Sequence, residues 1–205
     1  MRFIFMLLFG FLVMFTPATA KPITILALGD SLTAGYGLEP GHAMPDVLEH
    51  ALAKEGIDLK IINAGVSGDT AAQGAARLDW ALTNDVKAII VELGANDALR
   101  GLPPEQVDLA LRQVMDKAKA KNLAVLILGM KAPPNLGADY QTKFDAIYPK
   151  LSKDYAAVLY PFYLEGVAAQ PSLNQPDGIH PNDKGLAIIV AKLLPVVKTF
   201  VAKLP

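Results

Sequence analysis

The sequence predicts an α/β protein, a three-layer α/β/α sandwich on a parallel sheet of about five strands. Two observations carry this prediction. Short, nearly continuous apolar runs of strand length alternate with segments of helical spacing, and no internal repeat, low-complexity tract or long linker interrupts the alternation. Strands joined through helices need crossovers, and right-handed crossovers lay the helices on both faces of a parallel sheet.

Ile23 to Leu28 opens the series as a run apolar at successive positions and closed by Gly29, as expected of a strand buried on both faces. Met44 to Lys54 follows with weaker helical spacing. The second strand is expected at Leu59 to Ile62, a helix at Thr70 to Leu82, and the third strand at Ala88 to Leu93. After Pro103-Pro104-Glu105, residues Val107, Leu111, Val114, Met115 and Ala118 share one helical face, with Asp108, Arg112, Asp116 and Lys119 opposite. That is an amphipathic surface helix. Leu123 to Leu128 is the fourth strand and Ala157 to Tyr160 a fifth. Leu186, Ile189, Val190, Leu193, Leu194 and Val197 give the last helix its apolar face. Pro195 is expected to kink or end it, because proline lacks the backbone donor and clashes with the preceding turn.

The first twenty residues stand apart from this pattern. Arg2 precedes an apolar run from Phe3 to Phe15, and Ala18-Thr19-Ala20 supplies the small residues a signal peptidase reads. Residues 1–20 therefore read as a secretory signal peptide, leaving one domain over residues 21–205 and a periplasmic or secreted protein. The run is shorter than the roughly 20 apolar residues of a membrane-crossing helix, so no stable membrane insertion is expected after cleavage.

Composition excludes several classes of function. Nineteen basic and twenty acidic residues leave a net charge of −1, and neither sign gathers into a run, so nucleic acid is not an expected partner. The chain has no cysteine, which rules out disulfides, thiolate metal sites, a cysteine nucleophile and an acylated cysteine. Only His42, His50 and His180 are available to bind a metal, and their spacing suggests no metal site. His42 and His50 are expected on the surface.

In open α/β sheets ligands bind beyond the carboxyl ends of the strands, so the residues after each run have first claim on function. Gly29-Asp30-Ser31-Leu32 follows the first strand, with a glycine for a sharp turn and a hydroxyl at the sheet edge. Alone it reads at least as well as a capped turn. Asn63 to Thr70 follows the second strand, where the N–H of Gly68 could face a reaction centre or merely lead into a helix. Gly94-Ala95-Asn96-Asp97 follows the third: Asn96 could donate to an oxyanion or close an Asx turn, and Asp97 is expected to brace the loop. Asp177-Gly178-Ile179-His180-Pro181 puts a carboxylate close enough to accept the Nδ1 proton of His180 and fix its tautomer.

Together, in this order and at strand ends, these motifs are far more specific than any one of them. They resemble the SGNH or GDSL hydrolases, named for serine, glycine, asparagine and histidine. Within that family, Gly29 to Tyr36, Ser67 to Thr70, Val91 to Gly101, Ala146 to Lys150 and Asp177 to Asn182 resemble the bacterial thioesterase, lysophospholipase and arylesterase subgroup. One departure is Met44, before Pro45, where that subgroup leads one to expect tryptophan; a changed pocket or loop packing would follow.

The resemblance implies a flavodoxin-like scaffold and a serine esterase or thioesterase that needs no metal or organic cofactor. Ser31 would be the nucleophile, His180 the base and Asp177 its orienting partner, with an oxyanion hole from the N–H groups of Ser31 and Gly68 and the Asn96 amide. It also suggests an acyl groove walled by Leu99, Leu102, Pro134 and Leu136, which read equally well as ordinary loop residues. The partner expected is a small acyl ester or thioester, and the expected state is a monomer. Two rivals remain at this level. A carbohydrate-deacetylating esterase would share the site but carry a polar, aromatic groove. A non-catalytic binding module would use Gly29 to Ser31 to cradle an anion, leaving Asp177 and His180 without a role.

Overall fold

The computed structural model describes residues 22–204, so the expected signal peptide lies outside the described residues. In order along the chain are β1 (Ile23–Gly29), α1 (Ser31–Ala34), α2 (Met44–Lys54), β2 (Leu59–Gly65), α3 (Ala71–Ala81), β3 (Val86–Glu92), α4 (Ala95–Leu99) and α5 (Pro104–Ala120). They continue with β4 (Ala124–Leu128), α6 (Ala138–Asp145), α7 (Ile147–Tyr155), β5 (Val158–Tyr160) and α8 (Asp183–Val201). The strands form one parallel sheet in the order β2-β1-β3-β4-β5. This is the flavodoxin-like order, and its switch point falls between β1 and β3, where such sheets open a crevice for ligands.

The three layers follow from the apolar patterns. Ile25 to Leu28 of β1 and Ala88 to Ile90 of β3 are fully buried because helices cover both faces. α2 packs with α8, while α3, α5 and α7 pack in sequence against one another. β2 lies at an edge and alternates accordingly, with Leu59 and Ile61 buried and Lys60 exposed. α3 starts on a reciprocal cap in which Thr70 and Gln73 bond each other's backbone N–H.

The last helix does not end at Pro195, and the expectation for Gly29 needs correction. α8 continues through Pro195 to Val201, although proline leaves the Ala191 carbonyl without its helical donor. Val197, Phe200 and Val201 beyond it are buried, and their packing holds the last two turns on the core. Gly29 is not among the left-handed glycines, so it is not there for a sharp turn. A Cβ at that position would fall 1.9 Å from Thr33 Oγ1 and 2.8 Å from Glu92 Oε2, so glycine is needed for close approach. Met44 is fully buried at the start of α2, away from the cleft described below, so a substitution there bears on loop packing.

Candidate active site

Asp30 caps α1 through a 3.0 Å bond from Leu32 N to its Oδ1, which makes Ser31 the first residue of a single helical turn. Both local readings of Gly29-Asp30-Ser31 thus hold at once: the aspartate is a cap, and the serine hydroxyl stands at the sheet edge. The Asp177–His180 loop is closed by Gln175 N to His180 O at 2.7 Å, Gly178 N to Gln175 O at 2.9 Å and the antiparallel bridge of Asn174 with Pro181. Asn182 then caps α8, accepting from Lys184 N and Gly185 N. Gln175 Nε2 also donates to Tyr36 O at 2.7 Å, tying this loop to the segment after α1.

His180 Nε2 lies 2.9 Å from Ser31 Oγ, and His180 Nδ1 lies 2.7 Å from Asp177 Oδ2. Asp177 Oδ1 accepts from the backbone N–H groups of Ile179 and His180 at 3.0 and 3.1 Å. Burial is the largest single influence and pushes the Asp177 carboxyl up, but the His180 ring and these two N–H groups together outweigh it and hold the carboxyl below its ordinary value. The ring of Tyr36 packs against that of His180, centroids 4.7 Å apart. The side chains of His180 and Asp177 are 16% and 36% exposed, so substrate can reach the imidazole from solvent.

Gly68 sits in a turn with φ +88°, a conformation that favours glycine, and its carbonyl accepts from Arg100 Nη2 at 2.8 Å. Arg77 bonds both Asp69 and the Gly29 carbonyl, clamping this turn to the end of β1. Among the described residues no acceptor is bonded to the N–H of Ser31 or of Gly68. Asn96 Nδ2 donates to Asp30 Oδ2 at 2.9 Å. Asp97 braces the loop, accepting from Ala71 N at 2.8 Å.

Ser31, Gly68, Asn96 and His180 border one cleft of about 600 Å³. Leu99 and Pro134 line it, but Leu102 and Leu136 do not. Tyr140 Oη donates to the Leu102 carbonyl at 2.7 Å and ties that loop to α6, while Leu136 Cδ2 lies beside Gly101. Phe162, Leu164, Ala168 and Ile179 also line the cleft, on irregular segments that carry no periodic signal in the sequence. Lys131 stands over the Phe162 ring at 5.2 Å. His42 and His50 lie away from the cleft and are exposed, His42 paired with Asp183 at 2.7 Å. Among the described residues no cluster of three or more His, Asp or Glu side chains is arranged to hold a metal ion.

Comparison with known proteins agrees with this geometry. Residues 27–188 match the model of the GDSL-like Lipase/Acylhydrolase family. The chain is 42% identical over 175 residues to "Thioesterase 1/protease 1/lysophospholipase L1" of Escherichia coli (strain K12), covering 85% of this chain and 83% of that protein. It is also 42% identical over 159 residues to "Esterase TesA" of Pseudomonas aeruginosa, covering 77% of this chain and 79% of that protein. The crystal structure of AlinE4, an esterase of the SGNH-hydrolase family, superimposes with a TM-score of 0.75 at 44% identity, over 89% of this chain and 98% of that one. A family model that spans most of the chain, relatives above 40% identity and the same fold lead to one assignment. The chain belongs to the GDSL-like lipase/acylhydrolase family.

Proposed function

We propose that this protein hydrolyses carboxylic esters and thioesters through an acyl-enzyme on Ser31. The observation that carries the reading is the continuous hydrogen-bonded chain Ser31 Oγ, His180, Asp177, opening on an apolar cleft. A serine hydroxyl is a weak nucleophile at neutral pH, so His180 Nε2 takes its proton as Oγ attacks the substrate carbonyl. Asp177 keeps the other proton on Nδ1 and stabilises the imidazolium. The oxyanion that develops is met by Ser31 N–H, Gly68 N–H and the Asn96 Nδ2 hydrogen not given to Asp30. His180 next protonates the departing alcohol or thiol, and water repeats the sequence on the acyl-enzyme.

A burst of p-nitrophenol, equal to the enzyme present and followed by slower turnover, is expected with activated esters if deacylation limits the rate. No hydrolysis of p-nitrophenyl esters or acyl-CoA thioesters would remove the reading. Asn96→Ala is expected to lower kcat by about 10² to 10³, with KM little changed, because its donor acts on charge that exists only in the transition state. A rise in KM at constant kcat would instead place Asn96 in ground-state binding.

The apolar cleft supports a fatty acyl chain over an acetyl group. Burying a methylene is worth about 0.8 kcal/mol, so kcat/KM is expected to rise by up to about fourfold per added CH₂ until the cleft is full. A series that falls from acetyl onward would instead favour a deacetylase. The reading further includes an export signal over residues 1–20, cleaved after Ala20, and one catalytic domain over residues 21–205, acting as a monomer in the periplasm or outside the cell. It is supported by Arg2, the apolar run and the small residues before Lys21. Among the described residues no helix is long and apolar enough to cross a membrane.

A further inference from the structure

Beneath the nucleophile lies a second acid that the mechanism above does not use. Glu92 ends β3 and, like Asp30, is 0% exposed. Its Oε2 accepts from Thr33 Oγ1 at 2.8 Å and from Asp30 N at 3.3 Å, while its Oε1 has no donor among the described residues. The two buried acidic residues adjoin through that 3.3 Å contact of Asp30 N with Glu92 Oε2. Two neighbouring ionised carboxylates repel in a buried site, so the pair is favoured with one of them as the neutral acid.

We propose that Glu92 is held as the neutral acid beside an ionised Asp30, and that this pair fixes the Asn96 amide with its donor side toward the oxyanion. The role in catalysis rests on the hydrolase reading above; the protonation state does not. The proton belongs on Glu92 because Asp30 already accepts from Leu32 N and Asn96 Nδ2, which favour its charged form, whereas Glu92 Oε1 is left bare. Among the described residues no cation compensates a second charge. Arg77, from α3, spends its guanidinium on Asp69 and the Gly29 carbonyl. Asp97, from α4, faces Ala71 N. Tyr148 of α7 and Tyr163 after β5 are buried and neutral, with Tyr148 Oη donating to the Leu93 carbonyl at 3.0 Å. Burial pushes the Asp30 carboxyl above its ordinary value, and the Leu32 N–H, the Asn96 amide and a charge on His180 work against that push. Burial, followed by the Asp30 charge, pushes the Glu92 carboxyl well above its ordinary value.

The arrangement matters because an ionised Asp30 can only accept. Asn96 must then face it with Nδ2, leaving the second Nδ2 hydrogen for the cleft. A proton on Asp30 could face the Asn96 oxygen instead, turning that amide over and presenting a carbonyl to the oxyanion. A charged Glu92 would also place a second negative charge under a site built to stabilise one.

The protonation state leaves a trace in stability. An acid neutral in the fold and ionised in the unfolded chain contributes most below its unfolded value, 4.5 for glutamate, and that contribution drains away as pH rises toward its folded value. Glutamine mimics the neutral acid without titrating. Relative to wild type, Glu92→Gln is therefore expected to gain about tenfold in the folding equilibrium per pH unit from about pH 5 upward. A gap that does not change with pH would overturn the proposal.

In turnover, Glu92→Met is expected to lower kcat about tenfold with KM little changed, and Glu92→Gln to recover most of that loss; equal losses in both would count against a neutral acid. Should either variant fail to fold, the wild-type chain labelled with ¹³C at the glutamate side-chain carboxyl decides the matter. One resonance is expected to stay at the protonated position at neutral pH, and its absence would overturn the proposal. That spectrum needs no substrate, so its failure is distinct from failure of the hydrolase reading, which Ser31→Ala tests.

Discussion

Ser31→Ala is expected to lower kcat for p-nitrophenyl ester hydrolysis by about 10⁶, leaving only what binding and the oxyanion donors supply without a nucleophile. The fold should tolerate the change. Ser31 is 8% exposed, and the hydroxyl is bonded to His180 at the cleft wall rather than packed in the core. The thermal midpoint should therefore stay close to that of the wild type. With Ser31 and His180 proposed to act as one unit, His180→Ala should cost about as much, and the double variant little more than either alone. A Ser31→Ala protein that retained a tenth of its turnover would take Ser31 out of the mechanism. Losses that added in the double variant would separate the two residues.

The second large effect is expected at Asp177. Asp177→Asn can keep the two backbone bonds to Oδ1, since an amide oxygen accepts from Ile179 N and His180 N as a carboxylate does. Its amide nitrogen would then face His180 Nδ1 as a donor. That forces Nδ1 to accept and moves the ring proton to Nε2, toward Ser31, where an acceptor is needed. The loss in kcat is expected to be about 10⁴ with the loop intact. Activity within tenfold of wild type would show that Asp177 does not set the tautomer.

Much of the fold was legible because burial on two faces leaves a strong local trace. β1, β3 and β4 are apolar runs with helices on both sides, and each was placed to within a few residues. α6 and α7 were not named from the sequence, since only Phe144, Ile147, Tyr148 and Leu151 of their residues are buried and the helical axis breaks at Ala146. Pro195 does not end α8, because the packing of Val197 and Phe200 beyond it, which the local sequence does not show, keeps the chain helical.

At the site, Asp177 and His180 were legible because they stand three positions apart and one loop holds both. Ser31, Gly68 and Asn96 were singled out through their place after successive strands, and the structure puts all three on one cleft. Glu92 left no signal: one carboxyl at the end of an apolar run reads as the edge of a strand, and its partner Asp30 lies 62 positions away. The same limit hid Arg77 and Arg100, whose bonds to the Gly29 and Gly68 carbonyls are set by tertiary structure alone. The cleft wall at Phe162, Leu164 and Ala168 lies on irregular backbone, where periodicity has nothing to report. Leu102 and Leu136 were expected there because an apolar loop residue beside a site resembles a lining residue until its direction is known.

The central claim is that Ser31 is an activated nucleophile, and covalent labelling tests it without a choice of substrate. A fluorophosphonate reacts with an activated serine and leaves a stable phosphonyl ester that mass spectrometry can place on one peptide. The account predicts a single adduct on Ser31, absent from Ser31→Ala and strongly slowed in His180→Ala. An active preparation that remains unlabelled, or one labelled at a different residue while Ser31 stays free, would contradict it.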